Sequence, residues 1–328
     1  MIICKFGGSS TAKKRGIKNI KLIKETNFGR KIFVFSAVGK SSKNDTKLTD
    51  LLIELSNCEA GSSAYFSIRS KIKNKFKKLA SDTGKDFDFE KEFSNVERIF
   101  FVTKDKNYLI SRGEFFTAQI LAKFLGLKFV PAEDVVFFKG GEVDEKRTKD
   151  TIEKLLKTFG RFVTCGFYGV DENGKIKLFS RGGGDVTGAI ISKLTNADLY
   201  ENWTDVEGIF QINPKISRSQ TIKILAFDDF KFITARDTKV VHADCYKILK
   251  NSPTQICVRS TFSPFGKNTL VSHTAKTSAY FVCFKTYKNL SKVWIKKPNC
   301  PAVMKICSTK NLKQCIKTIQ AEQKLNRF

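Results

Sequence analysis

The chain has 328 residues, of which 41% are hydrophobic and 12% aromatic, enough to bury one large core or two lobes. No apolar stretch approaches the ~20 residues of a membrane span, and the chain begins with a core strand rather than a signal peptide, so we expect a cytoplasmic protein with no membrane partner. The formal charge of +27 comes from scattered lysines and a basic tail, and we do not expect nucleic acid to be the primary partner.

The cysteines and histidines exclude two further classes of site. Nine cysteines are an odd number without a CxxC pair, and several lie in apolar runs, where a reduced thiol behaves as a small hydrophobic group. The sequence has two histidines, His242 and His273, and both lie far from any cysteine cluster. This pattern argues against a structural zinc site and against chemistry that depends on a histidine base.

The first element is a short apolar run over residues 1–4, followed by the motif Lys5-Phe6-Gly7-Gly8-Ser9-Ser10. This order predicts a buried strand, a glycine turn and a helix that begins near Ser10 or Thr11. Backbone N–H groups at the glycines, the positive end of the helix dipole and the Lys5 ammonium together suit a polyphosphate or a transferring phosphoryl group. Taken alone, the motif is also compatible with a simple tight turn.

Short apolar runs alternate with amphipathic stretches up to about residue 271, which predicts an α/β protein. Further strands are predicted at residues 32–35, 129–131, 161–165 and around 199–200. Helices are predicted from Thr49 onward and over residues 65–79, 111–125, 151–158 and 186–195. In the tail, residues 279–285 and 293–297 are predicted strands, and residues 312–325 are a predicted helix.

Four glycine-rich or charged corners follow predicted strands, at residues 5–9, 166–169, 181–185 and 204–208. Because the carboxyl ends of parallel strands share one edge of a sheet, these corners are expected to converge on a common cleft. The three glycines after Arg181 allow close backbone approach to a ligand at the start of the next helix. The alternative for that stretch is a flexible surface turn.

These motifs, in this order, resemble the signatures of aspartate kinases of the amino acid kinase superfamily. The resemblance is carried by Lys5-Phe6-Gly7-Gly8-Ser9-Ser10, Arg181-Gly182-Gly183-Gly184-Asp185 and Thr204-Asp205-Val206-Glu207-Gly208, and it covers about the first 270 residues. It implies a three-layer αβα sandwich with a mostly parallel central sheet. It also implies a catalytic domain over residues 1–271, with an aspartate-binding N-terminal part and an ATP-binding C-terminal part, followed by a short basic α+β extension over residues 272–328.

The resemblance implies transfer of the ATP γ-phosphoryl group to the side-chain carboxylate of L-aspartate, giving 4-phospho-L-aspartate, the first step toward lysine, threonine and methionine. A carboxylate is already nucleophilic, so positioning and charge neutralisation suffice without a strong base. ATP chemistry implies Mg²⁺, whose ligands the sequence does not indicate.

By the same resemblance, Lys5 and Asp185 are the catalytic residues, although a helix N-cap is an alternative role for Asp185. The implied phosphate-binding residues are Lys5, Gly7, Gly8, Ser9, Gly183 and Gly184. The implied aspartate-binding residues are Thr49, Glu114, Phe167, Arg181 and Asp185. The implied ATP-binding residues are Thr204, Asp205, Phe210, Lys215 and Lys239.

Some positions depart from the family pattern. Gly184 stands where serine is usual, Phe210 where tyrosine is frequent and Lys215 where arginine is common, and the loop over residues 41–48 is longer than expected. Each departure bears on ligand affinity. A hydroxyl group is lost at Gly184 and at Phe210, and a bidentate guanidinium contact is lost at Lys215. The catalytic residues themselves are all present.

The tail and the rival functions leave alternatives open. About 57 residues follow Val271, too few for the two regulatory ACT domains that family members often carry, so we expect a reduced ACT-like unit or a basic tail, and weak or absent feedback inhibition. A homodimer is an open alternative to a monomer. The rival functions are a related kinase for another small anionic acceptor, such as glutamate or a nucleoside monophosphate, and a polyanion-binding protein on a kinase scaffold.

Overall fold

A computed structural model of the chain describes residues 1–180, 182–236 and 240–325. The helices are α1 (Gly8–Thr11), α2 (Lys14–Thr26), α3 (Leu48–Leu55), α4 (Ser63–Thr83), α5 (Phe89–Thr103), α6 (Lys106–Leu125), α7 (Glu145–Phe159), α8 (Gly183–Leu194), α9 (Phe227–Thr234), α10 (Asp244–Leu249) and α11 (Leu312–Leu325). The strands are β1 (Ile2–Phe6), β2 (Arg30–Phe35), β3 (Lys128–Phe129), β4 (Phe138–Lys139), β5 (Glu142–Val143), β6 (Phe162–Cys165), β7 (Tyr168–Val170), β8 (Ile176–Leu178), β9 (Leu199–Thr204), β10 (Ile224–Ala226), β11 (Gln255–Ser260), β12 (Asn268–Ser272), β13 (Phe281–Thr286), β14 (Leu290–Lys296) and β15 (Val303–Ser308).

The main sheet has eight strands in the order β10-β12-β11-β9-β1-β2-β6-β3. All neighbours are parallel except β11 and β12, which pair antiparallel. The first strand of the chain therefore lies near the centre, between β9 and β2. The mostly parallel central sheet that the resemblance implied is confirmed.

Helices cover both faces of this sheet because its strands are apolar on both sides. In β1, Cys4 and Phe6 face a core that contains residues of α2, α3, α4, α5 and α6. Ile3 faces the opposite core, which includes Ile152 of α7 and Ile191 of α8. Near-continuous apolar runs are typical of parallel strands buried on both faces. The three-layer αβα arrangement is therefore confirmed as well.

Several helices begin earlier than their apolar periodicity indicated. Asp105 caps α6 by accepting a hydrogen bond from the backbone of Tyr108 at 3.1 Å, and Asp144 caps α7 by accepting one from Arg147 at 3.0 Å. These caps satisfy N–H groups of the first turn, so each helix starts before its first buried residues. The first helix starts at Gly8 rather than Ser10, and no element was predicted at α5, α9, α10, β4, β5, β7, β8, β10, β11, β12 or β15.

The tail forms a three-stranded antiparallel sheet, β13-β14-β15, together with α11. The predicted helix over residues 312–325 is present as α11, where Ile316 and Ile319 are buried against this sheet and Leu312 packs beside them. Arg236 stacks on Trp294 of β14 with its guanidinium carbon 4.8 Å from the ring centre. The tail is thus packed on the C-terminal half of the main sheet, while the domain boundary at residue 271 stays a prediction.

None of the helices in the described part of the chain has the length and apolar character that a membrane crossing needs.

Five of the nine cysteines are buried and behave as small hydrophobic groups, as predicted for several of them. All nine are free thiols; Cys4, Cys165, Cys245, Cys257 and Cys283 are buried and Cys300 is exposed. Burial raises the pKa of Cys165 and that of Cys257 to about 12. These buried thiols are therefore held in the unreactive protonated form.

A buried carboxylate joins the four central strands. Glu201 of β9 accepts hydrogen bonds from Arg30 of β2 at 2.7 and 3.0 Å and from Arg259 of β11 at 3.0 Å. On its own face it also contacts Cys4 and Trp203. Burial opposes its ionisation, but the two guanidinium groups outweigh that cost and hold the pKa of Glu201 below its usual value. Removing this charge would leave two cations without a counter-charge.

We expect Glu201→Gln to lower the free energy of unfolding by about 3 kcal/mol, because breaking a buried ion pair leaves its partners uncompensated. Urea denaturation measures the loss. The control is Glu145→Gln, whose ion pair with Lys193 lies at the surface and should cost less than about 1 kcal/mol. Equal losses in the two variants would contradict a stabilising role for the Glu201 network.

Candidate active site

The two predicted catalytic residues form an ion pair at the carboxyl edge of the sheet. Lys5 lies at the end of β1, and its Nζ is 2.7 Å from Oδ1 of Asp185 in the first turn of α8. Their side chains are only 10% and 13% exposed. The positive end of the α8 dipole favours the carboxylate at this position.

Two further groups hold the Asp185 carboxylate in place. The Asn202 side-chain amide donates to Oδ1 at 2.8 Å, and the backbone N–H of His242 donates to Oδ2 at 2.9 Å. Asn202 lies directly opposite Lys5 in the register of β1 and β9. The alternative role of Asp185 as a helix N-cap is wrong, because the N-cap of α8 is Gly182.

The glycines after Arg181 pack closely against other parts of the site. Gly182 has a φ of 63°, and a β-carbon there would lie 2.2 Å from Cγ of His242. A β-carbon on Gly183 would lie 2.4 Å from Cα of Phe167. Contacts this short exclude side chains at both positions, so the flexible surface turn is ruled out for the described glycines of this stretch.

The predicted phosphate-binding segment, Gly7-Gly8-Ser9, also lies in close contact with backbone atoms of other segments. A β-carbon on Gly8 would lie 2.5 Å from the carbonyl oxygen of Ala37, and the Gly39 N–H donates to the Gly8 carbonyl at 2.9 Å. The Gly7 N–H already donates to the Trp203 carbonyl at 3.1 Å, so this group continues the sheet. Gly8 and Ser9 lie in the first turn of α1, where backbone N–H groups have no intrahelical acceptor.

One open pocket of about 350 Å³ collects most of the predicted phosphate and aspartate residues. It is lined by Lys5, Ser36, Thr49, Ile53, Ile110, Glu114, Phe167, Gly182, Gly183, Gly184 and Asp185. Gly7, Gly8 and Ser9 are not among these lining residues; they follow Lys5 and Phe6 along the chain. Arg181 falls outside the described residues.

Glu114 is a buried acid without a counter-charge in the described structure. It lies on α6, is 4% exposed, and its Oε2 has no hydrogen-bond partner among the described residues. Burial raises the pKa of Glu114 to about 8, although a hydrogen bond with the Ala37 backbone partly opposes the shift. A ligand ammonium group in the pocket would supply the missing charge.

Phe167 holds a strained backbone at the pocket wall. Its φ is 82°, a region that residues other than glycine rarely adopt. The Phe167 N–H donates to Oγ1 of Thr187 at 3.1 Å, which fixes this conformation against α8. Such strain is concentrated at functional sites, where the surrounding structure enforces it.

The loop over residues 41–47 is tied to the same region. Nζ of Lys75 on α4 lies 2.8 Å from Asp45 and 3.3 Å from the carbonyl oxygen of Gly39. Partial burial opposes the charge of Asp45, but the bonds from Lys75 and Ser41 outweigh it and lower the pKa of Asp45 to about 2. This loop is therefore anchored by an ion pair next to Gly39, which contacts Gly8.

A second cavity, of about 740 Å³, collects the predicted ATP residues. Thr204, Asp205, Phe210 and Lys215 all line it, and Lys239 falls outside the described residues. Its opposite wall is β13 of the tail, which the sequence did not indicate. A third cavity of about 550 Å³ shares Phe210 as a wall and is lined by polar residues such as Glu207, Arg218 and Lys267.

No group of three or more histidine, cysteine, aspartate or glutamate side chains within the described ranges could hold a metal ion. Magnesium is commonly bound through substrate phosphates and only one or two carboxylates, so this finding fits a metal that enters with a nucleotide.

A family model described as the amino acid kinase family matches residues 1–260. The chain belongs to the amino acid kinase family. The chain is 26% identical to aspartokinase 3 of Bacillus subtilis over 293 residues, which are 83% of this chain and 63% of that relative. It resembles the solved aspartate kinase of Clostridium acetobutylicum with a TM-score of 0.77 at 32% identity, over 87% of this chain and 66% of that one.

A solved aspartokinase III of Escherichia coli has the same fold, with a TM-score of 0.73 at 20% identity over 86% of this chain and 67% of that one. The resemblance to aspartate kinases is therefore confirmed. The chain spans about two thirds of the length of these relatives.

The sequence indicated the charged residues of this candidate site but not the groups that hold them. Asn202 has a weak signal, a neutral polar residue in a strand of mixed character, and its role can be inferred only when the β1–β9 register is known. The contribution of His242 is a backbone N–H, which leaves no mark in the sequence. The β13 wall comes from a segment outside the family match.

We expect Phe167→Gly to be more stable than Phe167→Ala by about 1 kcal/mol, because glycine adopts a positive φ without strain. Both variants lose the ring, so the comparison isolates the backbone. Thermal unfolding measures the difference. In the matched pair Leu178→Gly and Leu178→Ala, on strand β8, the order should reverse; the same order at both positions would show that the Phe167 backbone is unstrained.

Proposed function

We propose that this chain is an aspartate kinase, which transfers the γ-phosphoryl group of ATP to the side-chain carboxylate of L-aspartate. The observation that carries this proposal is the single pocket that joins the Lys5–Asp185 ion pair to the unpaired carboxyl of Glu114. The product is 4-phospho-L-aspartate, which we propose feeds the synthesis of lysine, threonine and methionine. The relatives support this choice, since the B. subtilis and C. acetobutylicum proteins are named as aspartate kinases.

The amino acid is held by complementary charge. Its α-ammonium group meets the Glu114 carboxylate, and its body lies between Thr49 and Phe167. We assign the α-carboxylate to Arg181, because a guanidinium group can bind a carboxylate through two parallel hydrogen bonds. The side-chain carboxylate then points toward Lys5. The aspartokinase III of E. coli has been solved with aspartate and ADP.

Phosphoryl transfer uses position and charge. A carboxylate oxygen of aspartate attacks the γ-phosphorus, the bond from that phosphorus to the β–γ bridging oxygen breaks, and ADP leaves with the electron pair. Lys5 and the N–H groups of Gly8, Ser9, Gly183 and Gly184 stabilise the charge on the transferring group.

Asp185 keeps the Lys5 ammonium in place through the 2.7 Å ion pair. Gly7 is not required for space, since a β-carbon there would lie 3.4 Å from Nζ of Lys5, an ordinary van der Waals distance.

The nucleotide occupies the second cavity. We assign its contacts to Thr204, Asp205, Phe210 and Lys215, with Lys239 as a further phosphate ligand. Mg²⁺, when bound with ATP, neutralises part of the phosphate charge. A cytoplasmic location and a homodimer stay predictions.

The reaction is tested by ATP turnover in hydroxylamine, which traps an acyl phosphate as its hydroxamate. We expect hydroxamate with L-aspartate, and Lys5→Ala should lower kcat by about 10²–10³-fold because a charge-stabilising donor is lost. The control is Lys146→Ala, whose exposed side chain pairs with Asp150 and should have no effect.

Glutamate and nucleoside monophosphates are tested as acceptors in parallel. Product with one of these and none with aspartate would replace the proposed acceptor with a related one. A lack of product with every acceptor, despite bound ATP, would reject the kinase activity.

Aspartate binding should depend on pH through Glu114. Its pKa of about 8 means that the acid is mostly protonated at pH 7, and binding an ammonium group requires the ionised form. We therefore expect the Kd of aspartate to fall as pH rises from 6 to 8, by up to about 10-fold per pH unit, with release of about one proton at pH 7.

Calorimetry in two buffers of different ionisation enthalpy measures that proton release. Glu114→Gln should bind aspartate weakly and without proton release. Binding by the unmodified protein that is independent of pH over this range would contradict the role of Glu114.

A further inference from the structure

We propose that the backbone edge of β13 that faces away from β14 recognises the adenine base, with the Val282 carbonyl accepting a hydrogen bond from the 6-amino group and the Phe284 N–H donating to N1. This inference rests on the proposed function for the placement of a nucleotide in the second cavity. It assigns base selectivity to the tail, which lies outside the region matched by the family model.

The direction of the backbone groups follows from the strand pairing. In the antiparallel pair of β13 and β14, Val282 lies opposite Ile295 and Phe284 lies opposite Val293. The Val282 N–H donates to the carbonyl of Gln211 at 2.7 Å, so it points away from β14. Backbone groups alternate in direction along such a strand, and those of Phe284 therefore also point away from β14.

This edge lines the cavity and has unused hydrogen-bonding groups. Val282 and Phe284 are both wall residues of the 740 Å³ cavity. Neither the Val282 carbonyl nor the Phe284 N–H has a partner across this edge among the described residues. Residues i and i+2 on one edge present an acceptor and a donor side by side, which matches the 6-amino donor and N1 acceptor of adenine.

The remaining walls suit a flat aromatic ring. Ile209, Phe210, Ile233 and Phe281 give the cavity an apolar surface, and small-molecule sites of this size are typically apolar with a few placed polar groups. Asp205 and Lys215 contribute charged groups to the same cavity. A base inserted between these side chains would bring its hydrogen-bonding edge to β13.

Contacts from the tail to the main sheet hold β13 in this position. The Arg236 guanidinium carbon is 3.6 Å from the ring centre of Phe232 on α9 and 4.8 Å from that of Trp294 on β14, so the cation lies between these two elements. Lys296 of β14 lies 3.7 Å from Asp229 of α9. The tail is therefore fixed beside the cavity by side chains on α9 and on the segment that follows it.

The test compares binding of ADP and inosine diphosphate by calorimetry, without aspartate. Hypoxanthine places an acceptor at position 6 and a donor at N1, which reverses both groups of adenine. We expect the unmodified chain to bind ADP at least about 10-fold more tightly, since each mismatched group is left unsatisfied.

Phe284→Pro removes the N–H at an edge position that faces away from β14, where proline is tolerated, and should reduce the preference to about 3-fold or less. Phe284→Ala keeps the N–H and should keep the preference. Equal binding of the two nucleotides by the unmodified chain, or an unchanged preference in a folded Phe284→Pro variant, would overturn the proposal.

Hydrogen exchange at the Phe284 amide provides a measurement that needs no variant. ADP should slow this exchange more than inosine diphosphate does, and an identical rate with and without ADP would also overturn the proposal. The hydroxamate assay separates the two proposals. Selective ADP binding without hydroxamate rejects the aspartate kinase activity alone, and hydroxamate without base preference rejects the role of β13 alone.

Discussion

The ion pair between Lys5 and Asp185 is the interaction on which the site depends. Two charges this well shielded from water are stable only when each is paired and hydrogen-bonded, and the carboxylate meets this condition through Lys5, Asn202 and the His242 N–H. The pair requires the ends of β1 and β9 and the start of α8 to meet at one edge. The close approach of the glycines to their neighbours serves this requirement, because any side chain there would push α8 away from the sheet.

The parts of the fold that the sequence predicted are those with a strong local signal. Strands β1, β2 and β6 are apolar on both faces, so each stands out as a continuous apolar run. Helix starts were placed too late where an aspartate cap precedes the first buried residue, as at Asp105 and Asp144. Strand β15 was missed because most of its residues are exposed, and an exposed edge strand has no clear alternation of polar and apolar side chains.

The candidate site was predictable where a particular charged side chain lies within a sequence motif. Lys5, Glu114 and Asp185 belong to this class, and the structure brings them to one pocket. The supporting contacts were not predictable, because they depend on strand register, as for Asn202, or on backbone groups, as for His242 and β13. A backbone group is present at every residue, so only the folded chain shows which of them face a ligand.

The buried thiols give the protein internal probes of its own local unfolding. Cys4, Cys165, Cys257 and Cys283 are distributed over β1, β6, β11 and β13, and each is shielded by packing, whereas Cys300 lies at the surface. An alkylating reagent can reach a shielded thiol only when the surrounding elements separate, so its labelling rate reports the free energy of that opening. Local unfolding of the centre of the main sheet, of its two sides and of the tail can therefore be measured separately without introducing any cysteine, with Cys300 as the reference for an unprotected thiol.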